Sequence, residues 1–384
     1  MTEYKNSTGK TEYRKALPEE GPKILDFINL VFSMAGRPHN FRKLLPKVYA
    51  YDDFRKLHYV AVRDGQVLAT VALLPFELKH HAYGVLKGGY VGSVSVHPYY
   101  RSEGHMKALM NMLLEDARQE GYDFLALGGR RQRYGYFGFG KADPVLEYEV
   151  DAANVKHALR DTDDEGIDFI TYDPEMTGIA EKIRNTYYAG ENTCERGSRF
   201  NEYLYSWMTA PAVITDRGQY IGYVCHRDEI VMELGLDDPD EIQKVIKAFV
   251  KRFGSMRGQM ALYDSRLRNV FAEIAEDVSI RDMQMIRVLN WPKMLCALLA
   301  VREEVRKIPD GCYSFAVRDE GSWCISVKNG VINGSEDKEN ECDCLAPEKA
   351  ADLFFSLSGA VECDDPWLKA LLPLPFHMSR QDHF

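Results

Sequence analysis

The stretch Gly92–Met110, GSVSVHPYYRSEGHMKALM, constrains this chain most. A short run rich in Val and Ser crosses a polar turn containing Arg101 and Gly104 and continues as an amphipathic helix. In that helix Met106, Leu109, Met110, Leu113, Leu114 and Ala117 recur at i, i+3, i+4, i+7, i+8 and i+11. A strand that delivers the chain into such a turn leaves several backbone N–H groups pointing outward, with the positive end of the helix dipole behind them. The pattern predicts an anion site suited to the pyrophosphate of a coenzyme. The helix is expected to stop near Gly121. A short buried strand, Phe124–Leu127, follows, and then the glycine-rich run Gly128–Gly140, GGRRQRYGYFGFG.

Upstream, Leu17–Phe32 reads as a helix, with Ile24, Phe27, Ile28 and Val31 at helical spacing. Phe41–Leu45 reads as a second short helix ending at Pro46. Asp64-Gly65 between Tyr59–Arg63 and Val67–Leu74 is a hairpin signal, and Phe76–Tyr83 and Leu86–Val96 continue the strand pattern. Helix and strand pieces in this order give an α/β (α+β) layer in which helices cover a mixed sheet. Residues Asp151 to Ser279 repeat part of the plan, with a hairpin over Tyr220–His226 and Glu229–Leu234 and a helix carrying Ile242, Val245, Ile246, Phe249, Val250 and Phe253. Aligning Ile242 on Met106 places Asp237, Asp238, Asp240 and Glu241 where the first copy has Arg101, Ser102, Gly104 and His105. Four carboxylates suit a helix N-terminus but repel a pyrophosphate, so only the first copy is expected to hold a coenzyme. From about Asn290 the character changes. Trp291–Val305 reads as a helix, Gly311–Arg318 and Trp323–Val327 as strands, Gly330–Asn340 as a polar loop, and Pro347–Leu357 and Trp367–Leu372 as helices. The tail PLPFHMSRQDHF has no periodic pattern, yet it carries Phe376 and the terminal Phe384.

At 384 residues the chain exceeds one ordinary core. A net charge of −10 argues against nucleic acid as a main partner, because a phosphate binder needs a basic face. No stretch approaches the ~18–20 apolar residues that span a membrane. The polar start MTEYKNSTGKTEYRK lacks an apolar signal region, so a cytoplasmic location is expected. The eight cysteines include no C-x-x-C pair, and reduced, mostly buried thiols are the expectation. Cys342, Cys344, Cys363 and His377 have poor spacing for zinc. His80-His81 and His97 are not spaced as ligands either, and no metal is expected.

Three features resemble one family. They are V-x-V-x-P-x-x-R-x-x-G-x-M from Val94 to Met106, Tyr-Gly-x-Phe-Gly-Phe at Tyr134–Phe139, and an aromatic C-terminus at Phe384 behind a small αβ region. The first resembles motif A of the GCN5-related N-acetyltransferases, R/Q-x-x-G-x-G/A. Met106 departs from its last position, as is common in the enhanced-intracellular-survival subfamily, which all three features together resemble. Members of that subfamily join a catalytic acetyltransferase domain, a second inactive copy and a C-terminal domain similar to sterol carrier proteins. The resemblance implies such domains at 1–150, 151–288 and 289–384, in a bacterial protein that forms a homo-oligomer, a trimer or hexamer.

The resemblance also implies roles. Val94, Ser95 and Val96 would offer backbone groups to the pantetheine arm of acetyl-CoA. Arg101, Ser102, Gly104, His105 and Met106 would wrap its pyrophosphate. Tyr134 would be the general acid that protonates the coenzyme A thiolate; with an ordinary pKa of about 10 a tyrosine holds its proton at pH 7. The Phe384 carboxylate would be the base, acting through water, although a free α-carboxyl near 3.3–3.7 is a poor base unless desolvated. Arg130, Arg131 and Arg133 read as a solvated basic run beside Tyr134. The implied activity is direct acetyl transfer to a primary amine on an aminoglycoside-like molecule, a polyamine or a lysine side chain, since no cysteine falls at a recognisable nucleophile position. The alternative is a lipid- or acyl-CoA-binding scaffold with little catalytic activity. The intact Arg101/Gly104 turn, Tyr134 and the terminal Phe384 favour the enzyme.

Overall fold

A computed structural model describes residues 9–190, 192–337 and 344–384. Among them, thirteen strands form one mixed sheet. In chain order they are β1 (Glu12–Lys15), β2 (His58–Arg63), β3 (Gln66–His80), β4 (Gly84–Val96), β5 (Phe124–Leu127), β6 (Gly140–Asp151), β7 (Ile167–Thr171), β8 (Thr193–Cys194), β9 (Ala210–Asp216), β10 (Gln219–Arg227), β11 (Ile230–Leu236), β12 (Ser255–Ala261) and β13 (Val278–Val288). Their order in the sheet is β1-β2-β3-β4-β5-β13-β6-β12-β11-β10-β9-β7, with the short β8 beside β3.

That order is nearly a palindrome with an exchange at its centre. β6 follows β5 in sequence but pairs with β12; β13 follows β12 but pairs with β5. The expected boundary at 150 therefore divides the chain without dividing the sheet. In each half a parallel pair opens early. β4 and β5 pair only over Gly88–Tyr90 and Phe124–Ala126, and β11 and β12 only at Ile230 and Arg257.

Alternation along the strands separates two cores. Val60, Val62, Phe124 and Ala126 point to one face of the sheet, under the helix Gly21–Ser33 with its buried Ile24, Phe27 and Ile28. Tyr59, Ala61, Leu125 and Leu127 point to the other, under the helix His105–Gln119 with Leu109, Met110, Leu113, Leu114 and Ala117. The C-terminal region adds a four-stranded sheet, ordered β16 (Val331–Glu336), β15 (Gly321–Lys328), β14 (Gly311–Val317) and β17 (Cys344–Leu345). Its aromatic core of Trp291, Phe315, Phe354 and Phe355 is continuous with the first of the two large-sheet cores.

Local readings are corrected in three places. Val331–Glu336, read as part of a polar loop, is an edge strand; residues 338–340 of that loop lie outside the described residues. An edge strand needs few apolar residues, and Gly334 lies so close to the helix Trp291–Val305 that a Cβ would meet Cys296 Sγ at 2.8 Å. β3 runs unbroken through Pro75, because its partner β2 has already ended at the His58–Ala72 pair, so the missing N–H costs no ladder bond there. The helix read as Pro347–Leu357 ends at Phe355, and Ser356 caps a separate helix, Leu357–Glu362, by accepting from Gly359 N–H at 3.1 Å.

Candidate active site

The site begins where β4 loses its partner. After Tyr90 the edge of β4 that faced β5 has no strand beside it as far as Val96. On the other edge the ladder to β3 pairs Gly92 with Ala72 and then Ser95 with Thr70, so Ser93 and Val94 stand opposite Val71 alone. This bulge turns the strand. Ser93 takes φ +47 there, and its Oγ shares a hydrogen bond of 2.5 Å with the Tyr49 hydroxyl. Ser95 Oγ donates to the Ser93 carbonyl at 3.0 Å. Val94 and Val96 are half-buried against the core.

One 3-10 turn, Pro98–Tyr100, leads from the strand to Arg101. Arg101 is exposed and has no ion-pair partner among the described residues. Ser102 and Gly104 both take positive φ, +71 and +84, and Gly104 starts the helix His105–Gln119 with no side chain capping its N–H groups. Nothing lies within 4 Å of where a Gly104 Cβ would be. Left-handed backbone, open space, free N–H groups and an unpaired guanidinium fit a pyrophosphate.

Two of the expected contacts are backbone or packing contacts only. The His105 imidazole is buried, shares a 2.8 Å hydrogen bond with Tyr13, and is pushed below its ordinary pKa by that burial. Glu103 lies 3.3 Å from its Nε2 without hydrogen-bond geometry. So His105 can offer an anion its N–H, not its ring. Met106 packs half-buried into the core beside Val94 and Val96.

Tyr134 ends a four-residue helix, Arg131–Tyr134, and its ring lies on Gly129, where a Cβ would approach Cε2 to 2.7 Å. Gly129 takes φ +146, so only glycine suits that position. The Tyr134 hydroxyl makes no hydrogen bond to a described residue, and burial raises its pKa further, with Arg133 opposing. Arg131, read as part of a solvated run, is instead paired with the buried carboxylate of Asp352.

The tail is where sequence reasoning saw least. It holds one short turn, Arg380–Asp382, yet Leu374, Phe376, Met378, Gln381, Asp382 and His383 are all buried. His377 Nδ1 meets the buried Asp143 at 2.7 Å. Asp382 accepts from Arg196 Nε at 2.8 Å and from the Tyr187 hydroxyl at 3.1 Å. The same guanidinium grips Glu233 at 2.9 and 2.5 Å. Burial pushes Asp382 above its ordinary range. Burial pushes Glu233 up too, but donors from Arg196, Ser379 and Tyr223 hold it below. Lys47, wholly buried, donates to the carbonyl oxygens of Gln381 and His383. Burial pulls its ammonium down to about 7, against Asp382.

Phe384 lies on Gly92. A Cβ there would sit 1.8 Å from the ring's Cδ1, and the ring meets Tyr49 edge-on at 6.2 Å. His383 stacks on Tyr90 at 5.4 Å. The Tyr90 hydroxyl is 3.7 Å from where a Gly128 Cβ would be, next to the Gly129 that carries Tyr134. Tyr90 thus lies against His383 and beside the Gly128-Gly129 turn on which Tyr134 packs. A glycine inside a Val/Ser run is the one sequence sign of the Phe384 seat; Lys47 and Arg196 carry none.

Residues 12–142 match the family described as acetyltransferase (GNAT) domain. No curated protein matches the sequence. Among solved structures, a GCN5-related N-acetyltransferase from Kribbella flavida superposes with a TM-score of 0.70 at 13% identity, over 98% of this chain and 99% of that one. Another from Anabaena variabilis ATCC 29413 gives 0.69 at 16%, over 98% and 100%. Eis1 from Mycobacterium abscessus gives 0.67 at 15%, also over 98% and 100%. Residues 12–142 thus carry a GNAT domain, and the whole chain shares the fold of these structures.

In the second half of the sheet, the turn before the helix Ile242–Phe253 is closed by its own acids. Asp238 accepts from Asp240 N–H at 2.9 Å, Asp240 pairs with Arg266, and Glu241 pairs with Lys244 at 2.6 Å. A cavity of about 900 Å³ opens between β11 and β12 and extends to His377 and His383. Of the cysteine–histidine set weighed for a metal, Cys342 lies outside the described residues, and His377 is taken by Asp143. Among the described residues, His80, His81 and Glu304 bring ligand atoms together, but His80 Nδ1 accepts from Ala82 N–H at 3.1 Å. That places the proton of the neutral ring on Nε2, so the cluster receives a donor rather than a lone pair. Among the described residues no helix is long and apolar enough to cross a membrane.

Proposed function

We propose that this protein is an acetyl-CoA-dependent N-acetyltransferase that acts directly on a primary amine of an aminoglycoside-like molecule, a polyamine or a lysine side chain. One observation carries the reading. The unpaired edge of β4, Val91–Val96, runs into an uncapped helix N-terminus beside the unpaired Arg101, and Phe384 is seated at the start of that edge. Bound acetyl-CoA would supply the acetyl thioester. Backbone groups of Val94, Ser95 and Val96 would hold its pantetheine arm. The N–H groups from Gly104 to Met106, with Ser102 and Arg101, would hold its pyrophosphate.

The chain's own chemistry is proton movement. Tyr134, kept protonated by burial, gives its hydroxyl proton to the leaving sulfur. The Phe384 carboxylate takes a proton from the acceptor ammonium through water, at a chain end whose last ring rests against Gly92 and Tyr49. On this reading residues 1–150 are the catalytic domain, 151–288 the inactive copy, and 289–384 a sterol-carrier-like domain that delivers the carboxylate. The protein is then a cytoplasmic homo-oligomer, a trimer or hexamer.

The test is thiol release from acetyl-CoA over a panel of polyamines, aminoglycosides and lysine peptides. Turnover on at least one class is expected. No turnover on any amine, together with tight lipid binding, would replace this reading with the scaffold.

A further inference from the structure

We infer that Lys47 is a positioning residue that fixes the last peptide of the chain, so that the Phe384 carboxylate faces the acceptor amine in one orientation. This rests on the terminal-base reading above.

The last residues of a chain fray unless something ties them down. Here most ties stop short of the end. Ser379 is held by Glu233 and Asp382 by Arg196. The Gln381 side chain donates to Leu204 O and Thr209 Oγ1, both at 3.0 Å. Among the side-chain hydrogen bonds of the described residues, those of Lys47 alone reach further, donating to the His383 carbonyl as well as to that of Gln381. The His383 carbonyl belongs to the planar unit that ends at the Phe384 Cα. Holding it sets the plane from which the final residue departs.

The turn that carries Lys47, Pro46–Tyr49, makes two more contacts to the same place. Its Tyr49 ring meets Phe384 edge-on, and its Tyr49 hydroxyl bonds Ser93 in the β4 bulge. One turn of chain therefore touches the last peptide, the last ring and the bulge.

Lys47 is not explained as half of an ion pair. Among the described residues it has no carboxylate within salt-bridge distance; the nearby acids, Asp382 and Glu233, are taken by Arg196. Its Nζ lies 5.0 Å over the Tyr203 ring, a wall against which an apolar side chain would pack as well. Burying an amine is costly unless its hydrogen bonds are needed, and those bonds go to the tail.

The experiment is a double-mutant cycle on the full chain: Lys47→Met, one glycine added after Phe384, and both together, with kcat, KM for acetyl-CoA and Tm measured for each. Lys47→Met is expected to lower kcat about tenfold or more while KM for acetyl-CoA stays within about twofold, and the added glycine to lower kcat at least as far. If Lys47 acts through the tail, the doubly altered protein is no slower than the extended one. Losses that multiply would show a structural role independent of the tail and overturn the inference. So would a slow extended protein beside a Lys47→Met protein at full rate. An extended protein at full rate would overturn the terminal-base reading itself, and this inference with it. Should Lys47→Met fail to fold, Lys47→Gln, which keeps a donor group, takes its place in the same cycle and is judged by the same non-additivity.

Discussion

Gly92→Ala isolates the seat of the chain end. An alanine Cβ would lie 1.8 Å from Phe384 Cδ1 and 2.2 Å from Cγ, where carbon atoms in contact stand ~3.5–4.0 Å apart. One of the two must move by about 2 Å to restore that contact distance. β4 is laddered to β3 on both sides of the bulge and buried between helices, so the strand stays and the ring leaves. The ring is half-buried, and undocking it forfeits about 1–2 kcal/mol of the ~1.5–3 kcal/mol that full burial is worth. Each 1.4 kcal/mol lowers the docked population about tenfold relative to the undocked. Two measurements follow. A carboxypeptidase should release Phe384 about tenfold faster from Gly92→Ala, because cleavage tracks the open population. If the terminal carboxylate is the base, kcat should fall by up to about the same tenfold, because the rate follows the docked fraction of the chain end. KM for acetyl-CoA should hold, because the new methyl stands off the face of the sheet and not along its open edge. A Gly92→Ala protein that keeps both its rate and its resistance to the carboxypeptidase would refute the reasoning.

Three further outcomes are expected. Tyr134→Phe removes a hydroxyl that bonds no described residue, so kcat should fall ~10²-fold or more with Tm and acetyl-CoA affinity unchanged; an unchanged rate excludes Tyr134 as the acid. Arg101→Ala deletes a cation without a protein partner and should weaken acetyl-CoA binding about fivefold to tenfold at low salt and less at high salt, as calorimetry at two ionic strengths would show. Stability should depend on pH through His58 and His383, which burial lowers to about 3 and about 4. Both are neutral when folded and take up protons on unfolding below about 6.5, so stability is full above that pH and falls as the pH drops. As the pH falls from about 6.5 toward 5, the contribution of these two rings to the slope should approach about 2.7 kcal/mol per unit, about 1.4 from each. Urea unfolding at several pH values checks this, His383→Asn should halve the slope, and a flat profile would contradict the burial of these rings.

What was legible in the sequence is what is local. Asp64-Gly65 takes positive φ at both residues, and Asp228 does so in the second hairpin, as such turns demand. The helices His105–Gln119 and Ile242–Phe253 bury the residues their spacing picked out. The burial of the His105 ring also had a local sign. His105 stands four residues before Leu109, on the buried stripe of its own helix, and so packs inward against Tyr13. The exchange of β6 and β13 has no local signature, because it is a choice of partner between strands more than a hundred residues apart. The tail was opaque for a related reason. No periodicity describes it, since its shape is imposed by Lys47, Arg196 and Glu233 from three distant segments.

That dependence gives the second half of the sheet a part in holding the tail. Glu233 lies on β11, and Arg196 just before the helix Phe200–Leu204; together they hold Asp382. Asp143, on the exchanged strand β6, holds His377. The half whose acidic turn is closed to a pyrophosphate thus anchors the tail as far as Asp382, and the first half seats its last two residues. Arg196→Met tests the anchor. Asp382 and Glu233 would remain buried with Lys47 as the only nearby cation, and breaking a buried pair from one side costs about 3–5 kcal/mol. The strain is relieved most directly by letting the tail go. Urea denaturation should therefore show that loss, and kcat should fall together with faster carboxypeptidase release of Phe384. A loss of stability below about 1 kcal/mol, the scale of an exposed ion pair, would mean that Arg196 is not the tether the geometry describes.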